Sequence, residues 1–160
     1  MDCFTSKLQE MGARVINYDD CIRIISDGKL HRATVKTHPY PGLPTDMQAQ
    51  ICVCMAKAEG TSRLTESVYE TRFFGYCTEL ASMGAEIVIN GKTALVTGVP
   101  TLQGAEVCAN DLRAGAALVI AGLSAEGVTK ISNNHFIERG YENILEKLTS
   151  LGAKISKIEE

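Results

Sequence analysis

Three segments of the chain share one arrangement of apolar and polar positions: LQEMGARV at Leu8–Val15, LASMGAEI at Leu80–Ile87 and LTSLGAKI at Leu148–Ile155. Each runs Leu, two spacers, Met or Leu, Gly-Ala, a charged residue and a β-branched residue. That order predicts a helix closed by a glycine and followed directly by a strand. The glycines Gly12, Gly84 and Gly152 recur at about 70 residues, a period too long for a solenoid and suited to whole α/β units packed around a pseudo-symmetry axis.

A second pattern is interleaved with the first. Asp46-Met47-Gln48-Ala49 opens an apolar run ending Ala58-Glu59-Gly60, and Asp111-Leu112-Arg113-Ala114 opens a longer one ending Ala125-Glu126-Gly127. Both read as helices apolar on every side, and therefore buried. Thr45 with Gln48 fits a capping box, and Asn110 is suited to cap the second helix. A short polar strand is expected after each, then an acid–arginine element, Glu70-Thr71-Arg72-Phe73 and Glu138-Arg139-Gly140-Tyr141. Asn90-Gly91 between EIVI and TALV predicts a hairpin, and Asp27-Gly28 another turn. The expected fold is α/β, as a partial repeat over about 1–37, a complete one over about 38–104 and a partial one over about 105–160. The chain thus begins and ends within repeats, which suggests a piece of something longer, since unfinished strands leave open edges.

Composition narrows the partners. With 160 residues, 45% hydrophobic and 22% charged, the chain is globular and of single-domain size. A net charge of −3 gives no reason to expect nucleic acid or an anionic membrane, so an anionic ligand needs a few local cations. The six cysteines, Cys3, Cys21, Cys52, Cys54, Cys77 and Cys108, form no C-x-x-C pair and have no histidine in zinc-ligand order. They read as reduced thiols of a cytosolic protein, several in the core, and no metal or cofactor is called for. The polar start MDCFTSKLQE is not a signal peptide, and no apolar run is long enough to span a membrane.

The two helix starts differ in what precedes them. His38-Pro39-Tyr40-Pro41-Gly42-Leu43-Pro44 is an extra segment before Asp46, holding three of the chain's four prolines, and the stretch before Asp111 lacks a counterpart. Prolines stiffen such a loop. A stiff loop presenting an acid can place a general base, although an acid at a helix start also simply complements the helix dipole.

The run Pro41-Gly42-Leu43-Pro44-Thr45-Asp46-Met47-Gln48-Ala49-Gln50 resembles the signature of the UDP-N-acetylglucosamine enolpyruvyl transferases, the 1-carboxyvinyltransferases. So do Thr65–Phe73, Asn110–Ala114 and Glu138–Glu142, in order along essentially the whole chain. The sister family acting on shikimate 3-phosphate shares the repeated architecture but not this motif set. The resemblance implies an inside-out α/β barrel of two domains with the site between them, of which this chain matches most of the second. It implies transfer of the enolpyruvyl group of phosphoenolpyruvate to the 3-hydroxyl of UDP-N-acetylglucosamine with release of phosphate, the first committed step of peptidoglycan synthesis.

Position by position, the resemblance implies that Asp46 removes the sugar hydroxyl proton. It implies that Val68 lines the nucleotide-sugar site through its backbone, and that Arg139 grips phosphoenolpyruvate. Asp111 and Arg113 match a pair near the reacting centre. From residue type alone, Val68 also suits a core, Arg139 a surface pair with Glu142, and Asp111 and Arg113 the decoration of a helix start. Arg72 is read as structural, bonding backbone at the strand-to-helix turn, and His135 also as structural. Gly115 and Asn110 depart slightly from the residues usual in the family. The family's phosphoenolpyruvate-binding Lys-Asn pair has no counterpart in this sequence. Nor does the loop bearing its Cys or Asp general acid, and none of the six cysteines takes that role. The expected partners are therefore the two substrates and a complementary N-terminal domain or chain. The alternatives are a non-catalytic UDP-sugar-binding or partner-binding module, or one half of a split enzyme.

Overall fold

A computed structural model describes residues 2–158. Helix α1 (Asp2–Glu10) leads into the hairpin β1 (Arg14–Asn17) and β2 (Ile22–Ile25), then β3 (Leu30–His31) and β4 (Thr34–Lys36). A 3-10 turn over Thr45–Met47 opens α2 (Gln48–Ala56), followed by β5 (Ala58–Glu59) and β6 (Thr61–Thr65). A second 3-10 turn, Glu70–Arg72, opens α3 (Phe73–Ser82), and β7 (Glu86–Asn90), β8 (Thr93–Thr97), β9 (Leu102–Gln103) and β10 (Glu106–Cys108) follow. Helix α4 (Leu112–Ser124), β11 (Ala125–Glu126), β12 (Lys130–Ser132), α5 (His135–Glu138) and α6 (Ile144–Ser150) complete the chain.

The three Leu-x-x-x-Gly-Ala segments close their helices identically. Ala13, Ala85 and Ala153 donate their N–H groups to the carbonyls of Leu8, Leu80 and Leu148, while Gly12, Gly84 and Gly152 donate to Gln9, Ala81 and Thr149. This pair of bonds is the Schellman closure. It needs a left-handed residue at the glycine, and the three glycines have φ of 104°, 88° and 95°. In the hairpin at Asn90, Gly91 supplies the positive φ of 56° at the first central position, and Asn90 pairs with Thr93.

Pairing follows the interleaved pattern. Strands β3 and β5 pair in parallel, as do β9 and β11, and β4 pairs in parallel with β6 as β10 does with β12. Helices α2 and α4 are the crossovers between these partners. In the first of the two units β6 also pairs with β8, giving a four-stranded sheet in the order β4-β6-β8-β7. Side chains alternate along this sheet: Val35, Leu64, Ala94 and Val96 are buried, while Thr34, Lys36, Arg63 and Leu95 face outward. Period-two alternation of this kind is what one buried face requires.

Helices α2 and α4 are apolar all round and pack together at the centre. Ile51, Cys52, Met55, Ala56, Ala117 and Leu118 have no exposed surface. Each fully buried large aliphatic side chain among them contributes about 1.5–3 kcal/mol relative to exposure. Small residues let α4 and the α5 segment close in: a Cβ on Gly115 of α4 would lie 2.5 Å from Ile137, and one on Gly140, just after α5, would lie 2.2 Å from Leu112. Among the described residues no helix is long and apolar enough to cross a membrane.

Three local expectations are corrected. The strand expected after Gly152 does not form within the described residues, because the equivalent strands β1 and β7 each gain their hydrogen bonds from a following hairpin partner and residues 153–158 meet none. Thr45 and Gln48 do not make a capping box: the Thr45 hydroxyl donates to Glu66 Oε2 at 2.9 Å, and the Gln48 amide is fully buried. Asn110 does not cap α4 either. Its Nδ2 donates to the Gly75 carbonyl at 2.9 Å, and Asp111 is the cap.

Candidate active site

The proline-rich loop leaves β4 at Thr37 and folds back on itself. His38 N–H donates to the Leu43 carbonyl and Gly42 N–H to the Pro39 carbonyl, both at 2.9 Å. Glycine is required at position 42, where a Cβ would sit 2.4 Å from that of His38. Leu43 plugs the loop into the core while Tyr40 stays in solvent. The loop therefore delivers Thr45 and Asp46 from an anchored base.

Asp46 meets two arginines from distant segments. Its Oδ1 accepts from Arg113 Nε at 2.8 Å and from Arg72 NH1 at 3.2 Å. The hydrogen bond from Arg113 is the main cause that holds the Asp46 carboxyl below its ordinary value; partial burial opposes this, and the positive charges of Arg113 and Arg72 reinforce it. The same hydrogen bond raises Arg113 further. Asp46 is therefore ionised at neutral pH and half exposed, at 54% of its side-chain surface. Two guanidinium groups around this carboxylate hold it in a fixed orientation, and their remaining N–H donors suit an anionic or polar ligand.

Asp111 turns the other way. Its Oδ1 accepts from the N–H groups of Arg113 and Ala114 at 2.7 and 2.8 Å, capping α4. Its hydrogen bonds reach the Asp46 cluster through the backbone of Arg113, and its charge adds to the upward shift of the Arg113 guanidinium. Arg139 is exposed at the C-terminal end of α5, and the packing of Gly140 on Leu112 places it beside the start of α4. Val68 is exposed rather than core, and its N–H is already committed to Glu66 Oε1 at 2.8 Å. Its carbonyl and side chain are the parts left for a ligand.

Sequence reasoning gave Arg72 a backbone-bonding role and gave Glu66 none. Arg72 NH1 does approach the Thr45 carbonyl, at 3.5 Å, but its closer partner is Asp46. The recurrence of an acid–arginine element at Arg72 and Arg139 was the available signal, since it sets the two arginines at equivalent positions. Glu66 is wholly buried and accepts from Thr37, Thr45, Val68 and Tyr69. Burial pushes its carboxyl up, yet the hydrogen bonds from Thr37, Tyr69, Val68 and Thr45 together hold it below its ordinary value.

This geometry sits on a repeated α/β frame whose class is shown by comparison. The family profile described as EPSP synthase (3-phosphoshikimate 1-carboxyvinyltransferase) matches residues 1–148, and the chain belongs to this family of enolpyruvyl transferases. Among curated relatives, the UDP-N-acetylglucosamine 1-carboxyvinyltransferase of Anaeromyxobacter sp. (strain Fw109-5) is 48% identical over 98% of the chain and 37% of its own length. UDP-N-acetylglucosamine 1-carboxyvinyltransferase 3 of Caldanaerobacter subterraneus subsp. tengcongensis is 49% identical over 100% of the chain and 38% of its own length. The enolpyruvyl transferase NikO from Streptomyces tendae superposes with a TM-score of 0.88 at 31% identity, covering 97% of this chain and 36% of that one. EPSP synthase from Acinetobacter baumannii, at 17% identity and a TM-score of 0.59 over 79% of this chain and 31% of that one, shares the fold. The chain thus spans a little over a third of the length of the relatives it matches.

Proposed function

We propose that the chain is the base-bearing part of a cytoplasmic UDP-N-acetylglucosamine 1-carboxyvinyltransferase, in the first committed step of peptidoglycan synthesis. The observation that carries this reading is the ionised Asp46 carboxylate, set by the proline-rich loop between Arg72 and Arg113. Its support from outside the chain is the name shared by relatives at 48% and 49% identity. The repeat boundaries near 37 and 104 belong to the same proposal.

In the proposed reaction Asp46 accepts the proton of the sugar 3-hydroxyl as that oxygen bonds to the enolpyruvyl carbon, and phosphate departs. The arginines make Asp46 a weak base. Its contribution is position and timing, because the hydroxyl proton becomes acidic only as the C–O bond forms. Arg139 presents a planar fork that matches either the carboxylate or the phosphate of phosphoenolpyruvate. Arg113 fixes Asp46, and Asp111 fixes Arg113 through the helix start. Val68 offers its carbonyl to the nucleotide sugar.

The general acid and the remaining phosphoenolpyruvate contacts belong to a complementary portion. The test is phosphate release from the two substrates. The chain alone should give none, addition of the N-terminal portion of a relative should restore it, and Asp46→Asn should abolish the restored turnover. Turnover by the chain alone, or an Asp46→Asn variant as active as the wild type, would overturn the reading. UDP-N-acetylglucosamine binding without restorable turnover would instead indicate a binding module.

A further inference from the structure

We propose that Glu66 is the positioning residue of this site: its two carboxylate oxygens set the spacing between the end of the proline-rich loop and the Val68–Arg72 segment, so that Asp46 falls between Arg72 and Arg113. The proposal rests on the reading of Asp46 as proton acceptor.

Each oxygen serves one side of the gap. Oε2 accepts from the Thr45 hydroxyl at 2.9 Å, one residue before Asp46. Oε1 accepts from Val68 N–H at 2.8 Å and Tyr69 N–H at 2.9 Å, on the segment that leads to Arg72. It also accepts from the Thr37 hydroxyl at 2.6 Å, where the loop departs from β4. The loop is thereby gripped at both its ends. Arg72 follows on from Tyr69, whose carbonyl accepts the Arg72 N–H at 3.0 Å. Glu66 itself is tied down by its own N–H, which donates to the Lys92 carbonyl in the β7–β8 turn at 2.8 Å.

The residue type is dictated by the donors. All four groups facing Glu66 can donate, and only an ionised carboxylate accepts at both of its terminal atoms. Burying that charge with neutral partners alone is costly, and an apolar side chain would fill the space at less expense. A fully buried carboxylate that bonds both the Asp46 loop and the Arg72 segment is therefore better explained by the site than by stability.

The second βαβ unit supplies an internal control. The strand registers make Thr37 equivalent to Ala109 and Glu66 equivalent to Asn133, since Lys36 pairs with Thr65 as Cys108 pairs with Ser132. The alignment of the two helix starts makes Thr45 equivalent to Asn110. Both hydroxyls and the carboxylate are thus replaced as a set in the unit that lacks the proline-rich loop. There Asn133 is left-handed, at φ 58°, and its amide goes to Cys108 Sγ. A clamp needed only for folding would have served both units.

The test uses the full chain with ¹³C-labelled aspartate carboxyls and the variants Glu66→Gln and Thr45→Val. Three quantities are read: the melting temperature, the Asp46 carboxyl titration by NMR, and UDP-N-acetylglucosamine binding by calorimetry. Gln keeps one acceptor for Thr37, Val68 and Tyr69 but turns an amide toward Thr45, and Thr45→Val cuts only the Oε2 contact. Both folded variants should titrate Asp46 closer to the ordinary carboxylate range and bind the UDP-sugar at least tenfold more weakly. The double variant should be no worse than either single one. A mere loss of fold stability leaves the titration of the folded state unmoved, and Thr45→Val keeps the Glu66 charge, so the titration of that variant isolates positioning. Unchanged Asp46 titration in folded Thr45→Val would overturn the role of Glu66 while leaving sugar binding by the wild type intact. If the titration shifts but Asp46→Asn keeps the turnover restored by the N-terminal portion, the role of Glu66 stands and the functional reading of Asp46 falls.

Discussion

Replacing Asp111 separates its two possible duties, holding a helix and serving the reaction. Its carboxylate accepts from the N–H groups of Arg113 and Ala114 at 2.7 and 2.8 Å, from an extended N-cap conformation with φ −155° and ψ 174°. Loss of such a cap costs about 1 kcal/mol and up to about 2. The negative charge at the start of α4 adds about 0.3–1 kcal/mol. Asp111→Ala should therefore lose about 1.3–3 kcal/mol, which for a domain of this size lowers the melting temperature by roughly 2–4 °C per kcal/mol. Asp111→Ser keeps a cap acceptor and should stay within about 0.5–1 kcal/mol of the wild type. Urea unfolding of the three proteins measures this directly. A Ser variant as unstable as the Ala variant would refute the capping argument. The Ser variant then decides the second duty. If capping is all that Asp111 does, the restored helix start keeps Arg113 on Asp46, and UDP-sugar binding and reconstituted turnover survive. If its charge also serves the reacting centre, turnover collapses in a protein of near-normal stability.

Arg113→Ala removes the nearer of the two arginines on Asp46, so the Asp46 carboxyl should rise toward its ordinary range in an NMR titration. Because the native value is depressed, the pair adds stability above the unfolded pKa and loses it as pH falls through the folded value. The acid limb of the stability curve should therefore be shallower in the variant, by less than about 1 kcal/mol for so exposed a pair. Gly84→Ala meets no atom within 4 Å but is held at φ 88°, so calorimetry should show a purely conformational loss of about 1–2 kcal/mol. Gly140→Ala would place its Cβ 2.2 Å from Leu112, costing about 1–3 kcal/mol by overpacking. Leu112→Ala in the same chain should recover part of that loss, which a double-mutant cycle would reveal.

The parts of the fold legible in the sequence are those whose hydrogen bonds close within a few residues. The helix ends at Gly12, Gly84 and Gly152 are of this kind, because donor and acceptor of each Schellman closure lie in the same short motif. So is the hairpin at Asn90-Gly91. What could not be read depends on partners far along the chain. Thr45-x-x-Gln48 has the letters of a capping box, but Glu66 competes for the hydroxyl from a strand end and wins by being buried and charged. Asn110 and Asp111 are adjacent and equally able caps. The choice fell to Asp111 because the Asn110 amide is engaged by Gly75 on α3. The resemblance singled out Asp46 and Arg113, which the structure brings into contact. The lateral partner Arg72 and the support beneath it required three dimensions.

The two helix starts show what the proline-rich loop achieves. Asp46 and Asp111 occupy the same place in two copies of one unit, yet only Asp111 folds its carboxylate back onto its own helix. In the other copy the lengthened approach replaces the capped first turn by a 3-10 turn without a side-chain cap, and Asp46 points outward to an arginine of its sibling helix. One helix-start position thus serves two labours in the two units. The copy that stayed short keeps the scaffold rigid. The copy with the loop lacks the side-chain cap and holds its carboxylate between two arginines, turned away from its own helix. Grafting the short connector of the second unit in place of the loop would reverse that exchange, giving a firmer domain whose acid is locked away from any substrate.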